Sequence, residues 1–159
     1  MNARKTLILA SALSLLVAVL EAAQPAEDTS AGTWKLNIAK STFASNTPPK
    51  SETRTYTVTP DGTHVVIEDE YADGKKTKVE TLITYDGRPQ PSTGSGIFDS
   101  IATQRIDRNT TTADLLRNGK VIGTVRREVS PDGKTMKMFY VINRPDGTSV
   151  STLSVFERQ

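Results

Sequence analysis

The chain has 159 residues, 24% of them charged, a formal net charge of +2 and no cysteine. Acidic and basic residues are interleaved without a block of either sign, which argues against the focused positive field that nucleic-acid binding requires. The lack of cysteine excludes disulfides, lipoprotein attachment and thiolate metal sites, so stability has to come from packing.

Residues 1–25 read as a secretory signal peptide. Arg4 and Lys5 supply a short basic start, Leu7 to Leu20 a mostly apolar run of 14 residues, and Ala22, Ala23 and Ala26 small residues for cleavage. The run falls short of the ~20 apolar residues of a membrane-spanning helix, so no stable span is expected after cleavage. The expected location is therefore the periplasm or the medium. Residues 26–159 form one domain, large enough to bury a core.

Turn signals punctuate this domain. Asp-Gly occurs at 61–62, 73–74, 86–87, 132–133 and 146–147, and Asn-Gly at 118–119, with proline ahead at Pro60, Pro131 and Pro145. Glycine accepts the positive φ of hairpin turns, and Asp and Asn bond to their own backbone there. The segments between are rich in Thr, Val, Ile and aromatics, and they predict strands at 33–38, 52–59, 63–72, 75–85, 98–106, 110–117, 120–130, 134–144 and 147–157. A short tenth is expected after Arg88. Ser41–Ser51 and Arg88–Gly96, with their prolines and glycines, read as irregular. Consecutive hairpins give an all-β, up-and-down antiparallel meander. Nine or ten long strands remove their exposed edges by closing into a small barrel.

Alternation identifies inward faces. Tyr56 and Val58 share one, Val65, Ile67 and Tyr71 another, Val79, Ile83 and Tyr85 a third, and Met136, Met138 and Tyr140 a fourth. Thr77, Thr81 and Thr111 accompany such faces and leave space and hydroxyls inside. In 98–106 and 147–157 both parities are apolar, and the pattern sets no orientation. Asp69 has inward parity near a barrel mouth, whereas Glu68 and Glu70 face out towards Lys76 and Lys78. Arg126-Arg127 and Lys75–Lys78 read as solvated strand faces. His64, the only histidine, stands at a strand start facing solvent. Without cysteine it makes no zinc site, and Gly94-Ser95-Gly96 lacks the lysine and helix of a phosphate loop. No catalytic, metal or cofactor motif stands out.

Gly32-Thr33-Trp34-Lys35-Leu36 opens the domain, and Val155-Phe156-Glu157-Arg158-Gln159 closes it. This G-x-W opening with a closing arginine resembles the calycin superfamily of lipocalins and fatty-acid-binding proteins. Trp34–Asn37 with Ala39–Ser41, Tyr85–Gly87, Arg105–Asp107 and Ser130–Thr135 make the chain similar, over 32–159, to exported bacterial lipocalin-like proteins. The resemblance implies a barrel closed where Trp34 meets Arg158. Two features depart from fatty-acid-binding proteins: Ser41–Ser51 cannot form their two-helix lid, and Ser154 and Phe156 stand where their ligand-gripping Arg-x-Tyr pair would be.

The expected function is non-enzymatic binding of a small, largely apolar molecule in the barrel. The lining candidates are Tyr56, Val58, Val65, Ile67, Tyr71, Val79, Ile83, Tyr85, Met136, Met138 and Tyr140. Two other readings stand beside it: a solid-cored envelope module that docks a macromolecule through Phe139 and Val141, and a cavity-based isomerase or cyclase. An internal void above ~300 Å³ separates the first of these readings from the solid-cored module.

Overall fold

The computed structural model describes residues 28–44 and 48–159; the expected signal segment lies outside them. Among the described residues ten strands form: β1 (Gly32–Leu36), β2 (Ser51–Thr59), β3 (Gly62–Glu70), β4 (Lys76–Ile83), β5 (Asp86–Thr93), β6 (Ser100–Arg105), β7 (Thr110–Arg117), β8 (Lys120–Val129), β9 (Thr135–Asn143) and β10 (Ser149–Arg158). Each pairs antiparallel with its chain neighbours, and β1 pairs with β10, so the meander closes into a barrel. No helix among the described residues is long and apolar enough to cross a membrane.

The turn chemistry sets the register. Asn118 and Gly119 both have positive φ, 51° and 73°, and they connect the pair Arg117↔Lys120 as a two-residue hairpin. Outward charges meet across strands as the alternation predicts, with Glu68 opposite Lys78 and Glu70 opposite Lys76. His64 is exposed.

Two stretches differ from the sequence reading. Strand β4 stops at Ile83, Tyr85 takes a left-handed φ of 59°, and the tenth strand expected after Arg88 forms as β5, which begins at Asp86 and occupies much of the stretch expected to be irregular. Pro89 and Pro91 are tolerated because β5 pairs with β6 along its length, while only Ser92 and Thr93 pair with β4. Proline brings no N–H to that second ladder. The turn that follows packs tightly: a Cβ at Gly94 would stand 1.8 Å from the Lys78 carbonyl oxygen.

The apolar residues on both parities of β10 also have a structural cause. Ser154 and Phe156 face inward, while Leu153 and Val155 face a segment that crosses the outside of the barrel after β1. In that segment Ile38–Lys40 forms a 3₁₀ turn, and Asn37 N–H donates to the Val155 carbonyl at 2.8 Å. Thr42 bridges Leu153 in both directions. Outward residues of β10 are therefore covered, which alternation alone does not anticipate. In β6, Ile101 and Thr103 face inward.

One end of the barrel is sealed by residues 28–31 and by the pair expected at the strand closure. Trp34 is fully buried and donates from Nε1 to the Ser30 carbonyl at 2.7 Å. The Arg158 guanidinium carbon lies 4.2 Å from the indole centroid. The same guanidinium donates to the carbonyls of Gly133 (2.6 Å), Thr29 (2.7 Å) and Ala31. It therefore ties the N-terminal segment to the β8–β9 turn while covering the indole face.

Candidate functional site

The opposite half of the barrel is hollow. A cavity of about 440 Å³ runs from a mouth at Phe43, Pro49, Tyr71, Lys75 and Gly94–Phe98 down to Thr103, Thr111 and Arg127. Eight of the eleven sequence candidates stand on its wall: Tyr56, Val65, Ile67, Tyr71, Val79, Ile83, Met138 and Tyr140. Thr77, Thr81 and Thr111 line it as well, as do Ser154 and Ile101 from the two strands the pattern left unoriented.

The other three candidates stand elsewhere. Val58 keeps inward parity but sits beside the turn after β2, past the end of the enclosed interior, and is 56% exposed. Met136 is buried against the sealed end, in register with Phe156 and Val129. The left-handed Tyr85 swings its ring away from the β4 face, and its hydroxyl donates to Asp28 Oδ2.

The sequence reading missed the charges inside. Glu52 and Arg54 share the parity of Tyr56 and are buried, and Arg54 Nε donates to Glu52 Oε1 at 2.5 Å. The Arg54 guanidinium stands 4.8 Å from the Phe156 ring centroid and 5.9 Å from that of Tyr140. Arg127, expected to be solvated, is only 5% exposed; it shares the inward parity of Val125 and Val129. Its Nη2 donates to the Tyr85 hydroxyl at 3.0 Å and lies 3.7 Å from Asp28 Oδ1. The signal for all three was the alternation itself, overridden by the general rule that charges stay outside.

Asp28 anchors this second group. Its carboxylate accepts from Ser30 N–H (3.0 Å), Ser30 Oγ (2.7 Å), Thr63 Oγ1 (2.8 Å) and Tyr85, and Arg105 Nη2 approaches to 3.9 Å. Burial works to raise its pKa, but Arg127 and the three hydroxyls outweigh burial and hold it at about 2. Nearer the mouth, burial pushes Glu52 and Asp69 above the usual carboxylate range, opposed by Arg54 in both and by a hydrogen bond from Thr77 in Asp69. Burial also raises the Tyr140 phenol, so it remains a neutral hydrogen-bonding group.

The cavity wall is thus apolar along β3, β4 and β7, with hydroxyls spaced between and two compensated arginines at different depths. Such a space holds an apolar body and offers a few fixed polar contacts. Among the described residues no group of three or more His, Cys, Asp or Glu side chains is placed to hold a metal ion. A scan against protein-family models and a search of curated proteins find no match to this chain.

Proposed function

We propose that this chain is an exported, non-enzymatic binding protein of the lipocalin-like kind, which holds a small, largely apolar molecule inside its barrel. The observation that carries the reading is the cavity of about 440 Å³, within the ~300–1,000 Å³ of ligand pockets. Its wall supports the same reading: Val65, Ile67, Val79, Ile83 and Met138 supply adaptable apolar surface, and Tyr56 and Tyr140 add flat rings with polar tips. The solid-cored alternative would dock through Phe139 and Val141, at 37% and 39% exposure, and the hollow interior is not the core that alternative expects.

The test is to purify the protein under native conditions from the envelope fraction of its expression host, sequence its N-terminus and extract it for mass spectrometry. The expected result is a start within residues 23–27 and a near-stoichiometric apolar small molecule. An empty extract, together with failure of N-phenyl-1-naphthylamine to brighten on titration, refutes the binding reading. An intact Met1 in the membrane fraction refutes export by signal cleavage.

A further inference from the structure

The layer of the cavity just inside its mouth carries more negative charge than the protein neutralises. Glu52, Asp69 and Thr77 stand side by side across β2, β3 and β4, and all three line the wall. Arg54, two residues further along β2, directs both Nε and Nη2 at Glu52 Oε1 and acts on Asp69 only at longer range. One oxygen of Asp69 accepts from Thr77 Oγ1 at 2.9 Å; the other, Oδ1, is buried and has no partner among the described residues. Lys50 and Lys76 pair with Glu70, and Lys78 with Glu80, on the outer face of these strands, and Lys75 stands exposed at the rim. Two carboxyls at this level therefore share one guanidinium.

The deep end has the opposite balance, because Arg127 and Arg105 share Asp28 there. A basic group on an occupant is held off the depth and drawn to the layer under the mouth, while an apolar body fits below it on Val65, Val79, Ile83 and Met138. A neutral hydroxyl satisfies the free oxygen of Asp69 but leaves its charge, whereas a protonated amine meets both. The fold itself has already stripped part of the water from Asp69, so an arriving cation adds only its own desolvation, which so near the mouth is partial.

Resting on the cavity-binding reading, we infer that the occupant is an apolar amine, whose protonated nitrogen bonds to Asp69 beneath the mouth and whose apolar body lies deeper in the barrel.

Decylamine and 1-decanol test this on the intact protein at pH 7, where the amine is protonated, by displacement of N-phenyl-1-naphthylamine. The two share one apolar body and differ in charge at its end. Decylamine is expected to bind about tenfold more tightly than 1-decanol, the worth of a charge-assisted hydrogen bond. Asp69→Asn keeps the shape of the side chain and an acceptor for Thr77, and should weaken decylamine about tenfold while leaving 1-decanol unchanged. Glu68→Gln removes the same charge from the outer face of the same strand, opposite Lys78, and should leave both affinities unchanged. A decanol that binds as tightly as decylamine overturns the inference without a variant. An unaltered decylamine affinity in Asp69→Asn also overturns it, as does an equal loss in Glu68→Gln, which would mark a diffuse charge effect. Displacement by neither compound overturns it too, with the cavity still binding its probe. Failure of N-phenyl-1-naphthylamine itself to brighten removes the cavity-binding reading, and this inference with it.

Discussion

Replacing Asp28 with asparagine probes how residues 28–31 are held over the sealed end. The substitution keeps the shape of the side chain and one acceptor oxygen for Ser30, but removes the charge opposite Arg127 and Arg105. The magnitude follows from the carboxyl pKa, which drops from 3.8 in the unfolded chain to about 2 in the barrel. That difference is worth about 2 kcal/mol at ~1.4 kcal/mol per pKa unit. Because the folded value is the lower one, the stabilisation is present in full above the unfolded pKa and is lost as pH falls from about 4 towards 2. Urea unfolding of both proteins, followed by tryptophan emission from pH 7 to pH 2, gives the comparison. Asp28→Asn should be about 2 kcal/mol less stable at pH 7, and the two curves should converge near pH 2. Glu52 and Asp69 titrate in the opposite sense but identically in both proteins, so the difference isolates Asp28. A gap of constant size across the range would show that the charge of Asp28 does not hold the plug.

Two further outcomes follow from the closure and the seam. Arg158→Ala should cost about 1–2 kcal/mol in urea unfolding and shift the emission of Trp34, since it removes the cation over the indole and its covering methylenes; an unchanged midpoint with unchanged emission would refute the contact's role. In amide exchange, Arg88 and Gln90 of β5 should exchange faster than Met136–Val141 of β9, because the ladder to β4 is absent along most of β5; equal protection would contradict the idea that the proline-bearing strand is the weak seam.

The barrel was legible because its turns are written in side-chain chemistry. The Asp-Gly and Asn-Gly pairs at 61–62, 73–74, 118–119, 132–133 and 146–147 mark hairpins, whereas Asp86-Gly87 opens β5; nine or ten strands were expected and ten form. Much of the cavity wall was legible from alternation, which placed Val65, Ile67, Val79, Ile83 and Met138 together. What the pattern hid has physical causes. Arg54 and Arg127 have inward parity, but charge suggests solvent unless the partner is known, and Asp28 reaches Arg127 from 99 residues away in the chain. Tyr85 left its expected face through one backbone angle, which alternation does not encode. Val58 shows that parity gives direction without depth: it points inward where there is no longer an interior.

The pairing of Trp34 with Arg158 has a consequence for how the molecule can be cut and rejoined. Around the ring every strand touches the two strands next to it in the chain, and the β1–β10 pairing completes the circle. Gln159 N–H bonds to the Thr33 carbonyl at 3.0 Å, so the first and last strands lie side by side. A short linker from Gln159 to Asp28 with a break at Asn118–Gly119 would yield a circular permutant with the same ten adjacencies and the same cavity. The architecture is defined by cyclic order, and the position of the gap in the covalent chain is incidental to it.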